Sequence, residues 1–228
     1  MSAASEPGAA RRERVGWIAL VGVAVAVWSH VYDRFELPPR LPGSIGLILG
    51  GDVLPLFVVP ALFARLVLHE PLARFGFRWP GLRPFALASA AGWLAMLPFV
   101  LWLAARPEFQ AFYPSPAFPP ARQHGVGLAF LWLLHHAPQL FATEFLFRGF
   151  LLFPLARALG VARALIVLAA PYVLLHADKP PLELVQALWG GVVFGWIAWR
   201  TRSFWPAFLA HWGVAVTMDA LCYRALHP

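Results

Sequence analysis

Residues 126–155 read VGLAFLWLLHHAPQLFATEFLFRGFLLFPL, thirty residues with one acid, Glu144, and one strong base, Arg148. A helix crosses the hydrocarbon core of a bilayer in roughly 20 apolar residues. This stretch is long enough to cross with a tilt or a kink, and Pro138 supplies a place for one. The same reading extends outward on both sides. Apolar runs at 15–32, 44–68 and 85–105 precede it, and runs at 162–176, 182–199 and 204–225 follow it. Pro55, Pro60 and Pro98 lie inside such runs, where neighbouring helices satisfy the backbone groups that proline frees. The expected fold is all-α, a polytopic transmembrane helix bundle of about seven spans.

Composition agrees. Of 228 residues, 60% are hydrophobic and 13% charged, whereas a soluble domain carries about 25% charged residues. That leaves too little polar surface to cover a water-soluble globule. It excludes a cytosolic enzyme, a disordered chain and a coiled coil. The net charge of +7 does not point to nucleic acid, because the arginines are scattered between apolar runs, where they set topology. The single cysteine, Cys222, leaves no internal disulfide and no Cys-based zinc site.

With a cytoplasmic N-terminus, the inner side holds eleven basic residues: Arg11, Arg12, Arg14, Arg65, Arg74, Arg78, Arg83, Arg157, Arg163, Arg200 and Arg202. The outer side holds six: Arg34, Arg40, Arg106, Arg122, Lys179 and Arg224. The excess predicts N-in and C-out, in a membrane read as the bacterial cytoplasmic (inner) membrane. The first run has a rival reading. Arg11, Arg12 and Arg14, then an apolar stretch, then Ala24-Val25-Ala26 imitate a cleavable signal peptide. The run continues through Val27 and Trp28, which favours a retained helix.

Ionisable groups inside spans are costly and are functional candidates by default. Here they are Asp52, His135, His136, Glu144, Arg148, His176, Glu183, His211 and Asp219, most of them in the second half. Glu144 and Arg148 are spaced i, i+4 with the acid first, the favourable order for an ion pair on one helix face; Arg148 could do no more than neutralise Glu144 there. A carboxylate and an imidazole facing a wet cavity can hold and deprotonate a water. A second imidazole can polarise a carbonyl or stabilise its oxyanion. Glu144, His176 and His211 are the set that amide hydrolysis within a membrane needs. Two His and one Glu also leave zinc open as a ligand set, although no HExxH motif is present. Asp219 could hold the outer edge of such a site or be a charge at the membrane end. Glu183 could join the site or cap the sixth helix, since carboxylates are favourable in a first turn. His135 and His136 read as interfacial or packing residues, and Asp52 as a polar contact between helices. Gly191 and Gly195 form a GxxxG pair for close helix packing.

The segment Glu144-Phe-Leu-Phe-Arg148-Gly149, then Tyr172-xxx-His176, then His211 on a late span resembles the CPBP intramembrane protease family. That family includes the type 2 CAAX prenyl proteases and the bacteriocin-processing proteins often labelled Abi. Its pattern is Glu-Glu-xxx-Arg, Phe-xxx-His and a final His followed by Asn or another small polar residue. The resemblance covers about residues 126–225. It implies a catalytic-type helix core there, preceded by a disordered cytoplasmic N-terminus at 1–14. Between them, 15–125 holds N-terminal helices and an outer connection rich in Pro and aromatics.

The resemblance further implies an endopeptidase that cuts a membrane-proximal segment of a protein substrate. Glu144 and His176 would activate water, His211 would stabilise the oxyanion, and Arg148 would fix Glu144, with no prosthetic cofactor. Two positions depart from the pattern. Thr143 stands at its first Glu, and Ala215 stands at the Asn position after the last His. They motivate an alternative, a non-catalytic membrane scaffold or chaperone on the same fold. A proton-coupled transporter would also bury Glu and His, but no inverted repeat relates the two halves.

Overall fold

The computed structural model of the chain describes residues 8–35, 47–113 and 136–227. Arg40, Arg122, His135, residues 1–7 of the expected N-terminal tail and most of the connection at 106–125 lie outside them. Helix α1 covers Gly8–Phe35. Helix α2 runs without a break through Leu47–Val58, Val59–Leu62 and Phe63–Val67. Helix α3 is Leu82–Ala104, and the short α4 is Pro107–Phe112. Helix α5 is His136–Leu159. Helices α6, Val161–Leu174, α7, Pro181–Thr201, and α8, Trp205–Leu226, complete the order. Among the described residues, each apolar run of the sequence overlaps a helix. Among the described residues, four helices are long and apolar enough to cross a membrane by themselves: Glu13–Tyr32, Leu82–Ala104, His136–Leu159 and Pro181–Thr201. The chain is an all-α polytopic membrane helix bundle.

Helix α5 is its axis. Its apolar window is 89% buried, against 28–39% for the other three, so α5 is sheathed by protein and the others face lipid. The outward faces follow helical spacing. Leu87, Leu94 and Leu101 are exposed on α3, and Val185, Leu188, Trp189, Val192 and Trp196 on α7. Exposed apolar stripes of that kind have no place in water and are ordinary in lipid. The opposite face of α7 buries Glu183, Gln186, Ala187, Gly190, Phe194 and Ala198.

Small residues set the helix spacing, because lipid offers no hydrophobic force to drive helices together. A Cβ on Gly92 would come within 2.9 Å of the Ala210 Cβ, which brings α3 against α8. Trp93 Nε1 donates to Thr217 Oγ1 across the same seam at 3.0 Å. Gly191 and Gly195 lie on the face of α7 that meets Tyr172 and Leu165 of α6. Between α5 and α6 the chain reverses at Gly160, whose φ of +83° suits glycine.

Within α5, the bonding changes to the wider π type over Phe145–Leu151, immediately after Glu144. Gly149 sits in that turn with the Phe75 carbonyl oxygen 2.7 Å from where a Cβ would stand. The turn passes this close to the Leu72–Phe75 segment because no side chain intervenes.

The ends of the bundle differ in charge. Arg14 binds Glu70 at 3.0 Å, Arg157 donates to the Arg74 carbonyl, and Ser203 donates to the Arg78 carbonyl. These contacts gather the N-terminal part of α1, the α2–α3 connection, the α5–α6 turn and the α7–α8 turn at one end. At the other end His30 of α1 lies 3.9 Å from Asp178, in the turn that follows His176.

Candidate active site

Helix α5 delivers Glu144 to the middle of the bundle with no exposed surface. Two cationic or cation-forming groups meet its Oε1. His211 of α8 donates from Nδ1 at 2.8 Å, and Arg148 places Nη1 at 3.2 Å. The i, i+4 spacing read from the sequence thus yields a contact inside the protein. Arg148 is itself 2% exposed and its guanidinium stacks over Tyr172 at 3.9 Å, a cation–π contact. Tyr172, in α6, is the hub: its ring lies 4.9 Å from that of His176 and 6.4 Å from that of His211. His211 also stacks on Phe194 of α7.

One cavity of about 670 Å³, its open mouth included, is lined by His176 and His211 together with Tyr172, Glu183, Gln186 and Ala215. The tautomers follow from the partners. His176 Nδ1 faces the Tyr172 carbonyl at 3.0 Å; a carbonyl only accepts, so Nδ1 carries the proton. His211 Nδ1 donates to a carboxylate. In its neutral form each imidazole therefore has Nε2 as its unprotonated nitrogen.

Glu144, Arg148 and Thr143 are not among the cavity-lining residues. The sequence pairs Glu144 with His176; in the structure its imidazole partner is His211, and the carboxylate stands behind that ring as seen from the cavity. Thr143 is buried beside it on α5. Glu183 does line the cavity, as does Asp219. Glu183 accepts from Tyr113 Oη at 2.7 and 2.6 Å and from Lys179 Nζ at 2.7 Å. Burial, then the Glu183 charge, holds the Tyr113 phenol well above its ordinary pKa, so it stays a donor. This triad closes one side of the cavity mouth and leaves Lys179 a third exposed at the rim.

Three lining residues escape the sequence reading. His136 reads as packing but lines the cavity, Tyr113 is hidden in a Pro/aromatic segment, and Gln186 carries no charge to flag it. Gln186 has a signal all the same: it falls at i+3 from Glu183, on the inner face of α7. Asp52 is buried on α2, away from this cavity. Among the described residues, no three of His, Cys, Asp and Glu gather as a metal-ligand set.

Residues 125–217 match the family model described as "Type II CAAX prenyl endopeptidase Rce1-like". The match supports a CPBP-like family assignment. The matched segment contains α5, α6, α7 and the half of α8 that carries His211. It therefore encloses the buried Glu144–His211 pair and both imidazoles of the cavity. Searches of curated proteins and of solved structures gave no match. The matched segment is thus similar to an intramembrane protease family and holds a buried His–Glu pair consistent with catalytic residues.

Proposed function

We propose that the protein is an intramembrane endopeptidase of a bacterial cytoplasmic membrane, cutting a protein substrate close to the bilayer by Glu/His water activation. The observation that carries this reading is the 2.8 Å bond from His211 Nδ1 to the buried Glu144 carboxylate, on a ring that itself lines the cavity. A carboxylate behind an imidazole fixes its tautomer and stabilises the imidazolium that forms when Nε2 takes a proton.

The steps then balance. A water in the cavity gives one proton to His211 Nε2 as its oxygen bonds to the substrate carbonyl carbon. His176 Nε2 accepts from the water's second hydrogen and orients it. The C–N bond breaks as His211 returns the proton to the leaving amine. Arg148 keeps Glu144 in register from behind, and no cofactor is required.

Replacing Glu144 by Gln and, separately, His176 by Ala tests this. Both variants should accumulate an unprocessed membrane protein in the host that wild type converts. The alternative of a non-catalytic scaffold draws support from one observation, the enclosure of Glu144 away from the cavity. It becomes the better account if a substrate is found whose processing is unchanged by Glu144→Gln.

A further inference from the structure

Resting on that protease reading, we infer that Gln186 is a further catalytic residue, whose side-chain amide donates to the oxyanion formed on the substrate carbonyl. The need for such a group comes from the cavity's chemistry. In their neutral forms its two central imidazoles both present unprotonated Nε2 atoms, since each Nδ1 proton is committed, to the Tyr172 carbonyl and to Glu144. They serve as acceptors. A developing oxyanion needs donors aimed at it, and in the steps above both imidazoles are engaged by the water and the leaving amine. The Tyr113 hydroxyl is held by Glu183, and the Lys179 ammonium is held by the same carboxylate at the exposed rim. Ala215, one turn after His211 in the same cavity wall, has no polar side-chain atom.

Gln186 fills this gap. It is 6% exposed, lines the cavity beside Glu183 and Ala187, and its Nε2 has no hydrogen-bond partner among the described residues. Buried amide donors in folded proteins are nearly always paired, and an unpaired one calls for an explanation. The terminal torsion of Gln is soft and two-fold, so a half-turn exchanges the amide's two ends and brings the N–H2 to the cavity without altering shape. An uncharged amide also suits the position. It donates to an anion without placing another cation beside His211 as that ring becomes charged.

The experiment uses the full chain in its host membrane. The host's own membrane proteins are the probe, and new termini are mapped by mass spectrometry. A synthetic peptide spanning the strongest cleavage site then gives kcat and KM in proteoliposomes. Gln186→Ala should lower kcat about 10²–10³-fold, as loss of one oxyanion donor does, with KM nearly unchanged. The double variant with Ala215→Asn should recover at least part of that loss, because it returns an amide to the same cavity. A residue that only packs would move the melting temperature and KM and would not be rescued from position 215. Should Gln186→Ala fail to fold, Gln186→Met keeps the length without the donor and is read the same way. Wild-type kcat in the Gln186 variant, with cleavage abolished by His176→Ala, overturns the assignment and leaves the protease reading standing. Cleavage unaltered by His176→Ala and Glu144→Gln would instead mean that the protease reading has failed, and the role of Gln186 with it.

Discussion

Among the described residues, Glu144 is the least exposed charged side chain. A carboxylate with no exposed surface has lost its hydration, and only nearby donors and positive charge can replace it. Arg148 supplies the charge from one turn away, and Tyr172 keeps the guanidinium flat against its ring. Removing Arg148 leaves the acid stranded. Arg148→Ala should cost about 3–5 kcal/mol of unfolding free energy, the penalty for breaking a buried pair on one side, read from denaturant titration in detergent. Activity should fall together with stability. Thr143, the neighbour that stands where the family pattern has an acid, is buried and does not line the cavity. Thr143→Ala should therefore change stability by less than about 1 kcal/mol, the size of a typical net hydrogen bond, and leave cleavage near wild type. A severe loss of cleavage without loss of stability would show that its hydroxyl positions the water.

Helix α5 shows what spacing in a sequence reveals and what it hides. The i, i+4 relation of Glu144 and Arg148 was legible because a helix puts such residues on one face whatever surrounds it. The partner of Glu144 was not, since whether His176 or His211 lies across from it depends on how α6 and α8 lean on α5, a tertiary matter. Gln186 and Tyr113 stayed hidden for a simpler reason: an uncharged side chain in an apolar run announces nothing until its helix face is known. The π turn at Phe145–Leu151 was equally silent, and Pro138, to which a kink could be traced, lies nearly two turns before it. Such turns recur at functional sites. Here the widening coincides with Gly149 and its approach to the Phe75 carbonyl. That contact is with backbone, so Gly149→Ala should destabilise by about 1–3 kcal/mol, the usual cost of overpacking. The Gly195 Cβ position meets the tip of Leu165 first, with Leu152 at ordinary contact distance, and a side-chain tip can swing aside. Gly195→Ala should cost less than Gly149→Ala in the same denaturant titration; the reverse order would mean that the α6–α7 seam, not the π turn, is the tighter contact.

The two ends of the bundle bear on which side of the membrane the cavity serves. Arg14, Arg74, Arg78 and Arg157 are tied together at one end through Glu70 and backbone carbonyls, while His176, Lys179 and Tyr113 border the cavity at the other. Basic loops stay on the cytoplasmic side, so the cavity mouth should face outward. An outward mouth suits anchors of exported proteins better than cytosolic lipidated tails, whatever the family's name suggests. The single native cysteine, Cys222, is buried, which makes thiol labelling clean. Asp178→Cys places a thiol beside Lys179, at a side chain 60% exposed. Ala162→Cys places one at the opposite end, where the chain is also exposed. In intact cells a membrane-impermeant maleimide should modify Cys at 178 at once, and Cys at 162 only after the membrane is opened. The opposite pattern would invert the bundle, turn the cavity toward the cytoplasm, and shift the expected substrates from exported anchors to chains that reach the membrane from inside.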